Sequence, residues 1–213
     1  KIFGTYYNIR YESTEDLHEQ IKQRLQDFDH SLSMFNPNSV ISKINRNEDI
    51  TTDSLFEAMY AEAQRVSHLS NGAFDITVAP LVNAWGFGKN GALDDEARRQ
   101  LGGKERIDSI KAFVGYEKIH LTDSHLYKDD ERITLDASAI AKGYACDIVA
   151  DLLRKNNCEN LLVDIGGEVV LQGTNQQGKP WRVGISRPTI DATGMEKELQ
   201  TVIESSHLSM ATS

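Results

Sequence analysis

Apolar positions recur at two spacings along this chain, and the spacing separates strands from helices. Phe3, Thr5, Tyr7, Ile9 and Tyr11 alternate and are aromatic or β-branched, which marks a half-buried strand. Leu17, Ile21, Leu25, Phe28 and Leu32 fall on a helical stripe. They predict a helix that starts at Ser13-Thr14-Glu15-Asp16 and stops before Asn36-Pro37-Asn38-Ser39. Leu55, Met59, Ala63, Val66 and Leu69 predict a second helix over 54–70, closed by Asn71-Gly72. Ile140, Tyr144, Ala145, Ile148, Val149, Leu152 and Leu153 predict a third over 138–156. Segment 73–91 keeps neither period, 93–101 reads as a short helix, and 102–117 as a loop with a helical turn. Short strands are expected at 119–121, 126–128 and 133–135. A buried strand at 160–165 is interrupted by Gly166-Gly167. Segments 168–172 and 181–186 read as a hairpin around 174–180, and a last strand lies near 199–204. Helices and antiparallel strands mix without strict βαβ alternation, so the fold class is α+β. Neither a repeat nor a linker divides the chain, and 1–213 reads as one domain.

Composition narrows the function classes. With 213 residues, 39% of them hydrophobic, the chain can bury a core without disulfides. A net charge of −9 argues against a nucleic-acid partner. No apolar run is long enough to span a bilayer. Cys146 and Cys158 are expected to be free thiols. The third helix would hold them roughly 15 Å apart along its rise, against the ~7 Å that a disulfide allows. The histidines show no metal-ligand spacing, and Asp147 with Asp151 reads either as a chelating pair or as a solvated helix face.

Three glycine-bearing segments are candidates for chemistry: Ser70-Asn71-Gly72-Ala73-Phe74-Asp75-Ile76-Thr77, Asp136-Ala137-Ser138-Ala139-Ile140-Ala141-Lys142-Gly143-Tyr144, and Asp164-Ile165-Gly166-Gly167-Glu168. The second opens a helix, whose free amides and partial positive charge suit a phosphate, with Lys142 one turn in. It reads equally as a helix cap with a solvated lysine. The glycine pair allows close approach of a ligand, or simply a turn. The run Ala79-Pro80-Leu81-Val82-Asn83-Ala84-Trp85-Gly86-Phe87-Gly88 is either an aromatic wall for a planar ligand or core.

Taken together, the motifs resemble the ApbE family of flavin transferases. The resemblance is carried by Gly72 through Val82 with Trp85-Gly86-Phe87-Gly88, by Leu135-Asp136 through Ala145 with Asp147, and by Ile165-Gly166-Gly167-Glu168. Phe3-Gly4-Thr5, Ser33-Met34-Phe35 through Ser39 to Asn45, Pro180 through Ile185 and Ala211-Thr212-Ser213 add to it, in family order. It implies an ApbE-like, T-fold-like α+β fold. The activity implied is Mg²⁺-dependent transfer of FMN from FAD to a threonine of a target protein, a redox flavoprotein subunit, with release of AMP. Alternatives are an Mg²⁺-dependent FAD pyrophosphatase and a non-catalytic flavin-binding module. The resemblance assigns FAD contacts to Phe3, Phe35, Ala73, Phe74, Asp75, Asp136, Lys142, Gly166 and Gly167. It gives Lys142 the catalytic role and makes the Ala139 carbonyl a magnesium ligand.

The family usually has methionine at the position of Phe3 and tyrosine at that of Phe35. It also continues past Ala-Thr-Ser with a His-Ile-Ile-Asp-Pro motif and an Asp-Ala segment that supplies side-chain metal ligands. The expectation is therefore that the chain is truncated or clipped, or that the remainder lies outside residues 1–213, and that these residues alone transfer FMN poorly or not at all. By the same resemblance the full-length protein is expected to be exported to the periplasm, with membrane association only through a lipid anchor.

Overall fold

The computed structural model describes residues 4–86, 104–187 and 199–212. The expected helix at 93–101, Phe3, Phe87, Gly88 and Ser213 lie outside the described residues. The elements in chain order are β1 (Tyr7–Tyr11), α1 (His18–Leu32), α2 (Val40–Asn45), α3 (Ser54–Leu69), a 3-10 turn (Ile76–Val78), α4 (Ala79–Ala84), α5 (Lys104–Lys111), a second 3-10 turn (Tyr116–Lys118), β2 (Ile119–Thr122), β3 (His125–Lys128), α6 (Ser138–Lys155), β4 (Leu161–Ile165), β5 (Glu168–Gln172), β6 (Trp181–Ser186), β7 (Leu199–Ser205) and β8 (His207–Met210). Helices mix with antiparallel sheets, so the fold is α+β. Two compact units divide the chain: Thr5–Arg24 with Ala145–Ser213, and Leu25–Tyr144.

In the first unit, β1, β4, β5 and β8 form an antiparallel sheet in that order. Tyr7 pairs with Ile165, Ile9 with Val163 and Tyr11 with Leu161, so the predicted alternation of β1 points at a buried face. Leu161, Val163 and Ile165 on that face are fully buried. The opposite face packs Leu162, Val169 and Leu171 against Trp181, with Val183, Leu208 and Met210 alongside. Full burial of a valine or leucine such as Val169 or Leu171 contributes about 1.5–3 kcal/mol, and the partly buried Val183, Leu208 and Met210 contribute less. Gly166 and Gly167 make the two-residue β4–β5 hairpin, with φ of 62° and 96°. Positive φ at both central residues is what a type I′ turn requires.

The hairpin expected between β5 and β6 does not form: β5 pairs with β4 and β8, and β6 with β7. The chain does turn back at 174–180, but pairing there is a single bridge between Thr174 and Pro180. Pro180 has no N–H to extend a ladder. Instead the Trp181 indole N–H donates to the Gln172 carbonyl at 2.9 Å, and the ring covers the second apolar face. The helix start near Ser13 also moves, because residues 13–16 form a turn. Ser13 Oγ accepts from Glu15 N, Asp16 Oδ1 accepts from His18 N, and the Tyr11 hydroxyl accepts from Leu17 N. α1 accordingly begins at His18.

In the second unit, α3 is capped by Asp53, whose Oδ1 accepts from Phe56 N and from the buried Ser31 hydroxyl. Residues 33–45, read from sequence only as a turn cluster and a motif, contain α2. Ser39 caps it by accepting from Ser42 N at 3.2 Å and donates to the Ser33 carbonyl at 2.8 Å. Residues 133–135 are not the expected third strand. Ile133, Leu135 and Ala137 are fully buried in a strand-like alternation, yet among the described residues no strand pairs with them.

Both cysteines are free and buried. The Cys146 thiol donates to the Glu168 carbonyl at 3.1 Å, and burial pushes its pKa up to about 12. The unfolded thiol ionises near its ordinary value of 9.0. Between those values the native chain holds the extra proton, so this contribution to stability is intact below pH 9 and is lost as pH rises towards 12.

Two outcomes are expected. Ser39→Ala removes a cap and the donor to Ser33, and is expected to lower unfolding free energy by about 1–2 kcal/mol; an unchanged urea midpoint would contradict the buried cap. Iodoacetamide at pH 9 is expected to spare Cys146 in the native chain and modify it in urea. Prompt native labelling would show that the thiol is not held as described.

Candidate functional site

The site is built from segments of the second unit. α3 ends at Ser67–Gly72: Gly72 N donates to the Ser67 carbonyl, and Gly72 takes φ of 78°. This reversal delivers Ala73, which is exposed, and Phe74, which is half-buried and donates its N–H to Ser70 Oγ. Asp75 follows and caps the 3-10 turn. Its Oδ1 accepts from the Thr77 N–H and from the Thr77 hydroxyl, both at 2.7 Å, and its Oδ2 accepts from Tyr116 N at 2.9 Å. The fully buried Thr77 hydroxyl in turn accepts from Gly115 N at 2.7 Å. A carboxylate has about four lone-pair sites, and three are engaged by the protein itself, so Asp75 shapes this turn first and has little left for a ligand.

The second segment meets the first through the backbone. Asp136 N donates to the Ile76 carbonyl at 2.7 Å. Asp136 Oδ1 accepts from Ser138 N at 2.8 Å, just before the first turn of α6. Motifs some sixty residues apart in sequence are thus joined by one hydrogen bond. Lys142 is half-buried and stands four residues after Ser138, on the same face of α6. Ala139 is exposed in the first turn. Capping and anion binding are compatible here, since one carboxylate oxygen satisfies one of the free amides of the helix end.

The third segment carries Phe35, which is 66% exposed. Asn45, the last residue of α2, reaches from this segment to the approach to α6. Its Oδ1 accepts from Leu135 N at 2.7 Å and its Nδ2 donates to the Leu135 carbonyl at 2.9 Å. Nδ2 also lies 3.9 Å from the Met34 sulfur. Lys128 on β3 donates to the carbonyls of Ile44 at 3.1 Å and Ile133 at 2.9 Å. Burial lowers the pKa of its ammonium, and nearby Glu131 opposes that shift.

Phe35, Ala73, Phe74, Asp75, Asp136, Ala139 and Lys142 all belong to this unit. Gly166 and Gly167 belong to the other one and are accounted for there by the hairpin. A Cβ on Gly166 would meet Thr5 Cγ2 at 2.8 Å, and one on Gly167 would meet Thr212 Oγ1 at 2.5 Å. In the run 79–88, Ala79 and Ala84 are buried in the core while Trp85 is 49% exposed. Asp151 pairs with Arg154 at 2.7 Å, and the Asp147 carboxyl is raised by partial burial and then by Asp151. Among the described residues, no group of three or more His, Cys, Asp or Glu could hold a metal ion. Gly115, Tyr116 and Lys128 were missed from sequence, because their roles run through backbone groups that no side-chain pattern reveals.

The ApbE family model matches residues 3–213. The chain is 34% identical over 221 residues to the FAD:protein FMN transferase of Vibrio cholerae, covering 99% of this chain and 63% of that protein. It is likewise 34% identical over 228 residues to the FAD:protein FMN transferase of Haemophilus influenzae, covering 100% of this chain and 64% of that one. The solved flavin transferase ApbE from Vibrio cholerae superposes with a TM-score of 0.79 at 33% identity, covering 96% of this chain and 66% of that one. The apo flavinyl transferase ApbE of Pseudomonas stutzeri gives 0.77 at 27% identity, covering 95% and 64%. The chain therefore spans less than two thirds of the length of the curated relatives it matches. On its sequence and its fold alike, the chain belongs to the ApbE family.

Proposed function

We propose that this chain binds FAD by its diphosphate and supplies the flavin-binding part of an FAD:protein FMN transferase. In that reaction a threonine oxygen of a target flavoprotein bonds to the flavin-side phosphorus. The bond from that phosphorus to the bridging oxygen breaks, AMP leaves with that oxygen and the bonding pair, and the threonine hydroxyl proton passes to the AMP phosphate or to water. The observation that carries the reading is the 2.7 Å hydrogen bond from Asp136 N to the Ile76 carbonyl, which joins the Asp75 turn to the mouth of α6. The relatives named above are FAD:protein FMN transferases, and the chain matches them along nearly its whole length.

Physical chemistry supports each role. The chain carries a net charge of −9 and repels an anion as a whole. Diphosphate binding must then rely on local positive potential, which an 18-residue helix offers at its N-terminus and Lys142 offers one turn further in. In this reading Lys142 stabilises charge growing on the departing AMP, and phosphoryl transfer asks mainly for such positioning and charge stabilisation. Phe35 offers an exposed aromatic face for a flavin or adenine ring. Phe3, Phe74 and Ala73 complete the proposed contacts. Magnesium, which keeps few protein ligands and leans on substrate phosphates, would be held by the Ala139 carbonyl and the diphosphate; bound there it would neutralise phosphate charge. A periplasmic setting with a lipid anchor is part of the same proposal.

Incubating the full-length protein with FAD, Mg²⁺ and a threonine-bearing acceptor tests this. Protein-linked flavin fluorescence is expected and is lost on chelation. Free FMN with AMP would show water as the acceptor instead, and unchanged bound FAD would show a binding module. Lys142→Ala is expected to reduce transfer about 100-fold; an unchanged rate would remove Lys142 from the reaction.

A further inference from the structure

Residues 133–136 carry the approach to α6 with the alternating burial of an extended segment, and among the described residues no strand pairs with them. In extended backbone, successive residues aim their polar groups at opposite edges. Leu135 presents its N–H and carbonyl to one edge, and both are taken by the Asn45 carboxamide at 2.7 and 2.9 Å. Asp136 presents its N–H to the other edge, where the Ile76 carbonyl accepts it at 2.7 Å. The peptide that carries the Asp136 carboxylate is thus gripped from both sides, once by backbone and once by a side chain acting as a substitute strand. Lys128 adds a second hold two residues upstream, on the Ile133 carbonyl at 2.9 Å, and ties the same segment to the end of α2 through the Ile44 carbonyl at 3.1 Å.

We infer that Asn45 is a positioning residue for the flavin site, with Lys128 as its partner: together they fix the direction in which the Asp136 carboxylate and the first amides of α6 face the ligand. This role rests on the FAD reading above.

The residue type follows from the geometry. Leu135 is fully buried, so its N–H and carbonyl need partners. A carboxamide offers one acceptor and two donors and meets both groups at once. An ionised aspartate would set a second oxygen against the Leu135 carbonyl. Glutamine would place the amide one methylene too far out, and leucine would leave both groups unsatisfied. Delivery is equally constrained. Asn45 ends a six-residue helix whose start is fixed by the fully buried Ser39. Its Nδ2 also lies 3.9 Å from the sulfur of Met34, the residue before Phe35. One amide therefore couples the segment that bears Phe35 to the segment that bears Asp136.

FAD affinity of the full-length protein, measured by flavin fluorescence titration well below the melting temperature, tests this against a role in stability alone. Asn45→Ala is expected to weaken FAD binding about tenfold or more, as loss of preorganisation does. Phe56→Leu, a truncation in the core of the same unit chosen to lower the melting temperature comparably, is expected to bind FAD within about twofold of the parent protein. A folded Asn45→Ala variant that binds FAD like the parent would overturn the inference. So would a Phe56→Leu variant that weakens binding as much. Should Asn45→Ala fail to fold, Lys128→Met carries the test, with a several-fold loss of affinity expected and an unchanged affinity overturning it. A parent protein that does not bind FAD would contradict the flavin reading itself, and is distinguished by being read before any variant.

Discussion

One backbone hydrogen bond, from Asp136 N to the Ile76 carbonyl, is the contact on which the proposed chemistry depends. It is worth only about 0.5–1.5 kcal/mol in net stability, so its importance is geometric. It sets the turn shaped by Asp75 beside the opening of α6 and leaves the mouth of that helix at the junction of two motifs. Much of the surrounding polar structure keeps this junction in place. Asp75 builds its own turn through Thr77 and Tyr116, and Asn45 and Lys128 hold the chain on the approach.

The electrostatic logic is local. An acidic chain offers no general attraction for a dinucleotide, and a nearby helix terminus and one lysine must provide it. The carboxylates in the site do not contradict this. Asp75 is occupied by three donors and Asp136 by the Ser138 amide, so each acts as part of the scaffold before it acts on a ligand. An N–H-rich helix mouth flanked by carboxylates that already have partners is compatible with a bound diphosphate.

Sequence made the periodic parts legible and hid the parts where side chains replace secondary structure. The stripe from Leu17 to Leu32 and the alternation from Tyr7 to Tyr11 are repeated signals, and both appear, with the helix starting at His18 rather than near Ser13. Residues 133–135 show why alternation can mislead. Ile133, Leu135 and Ala137 bury every second side chain as a strand would, but the ladder partner is the amide of Asn45. α2 is six residues long, too short for any stripe to emerge, and is visible only through its Ser39 cap. The glycine pair at 166–167 was open to a turn or a ligand contact, and it forms the type I′ turn of the β4–β5 hairpin. Candidate site residues were legible because the motifs resemble a family. Their mutual arrangement was not, because the bonds that create it run through the backbone.

The most direct measurement is amide hydrogen exchange with and without FAD. If the Asp75 turn and the mouth of α6 cradle one diphosphate, exchange slows together at residues 73–77 and 136–142. Slowing at only one of these segments, or at neither while FAD is bound, would contradict a shared site.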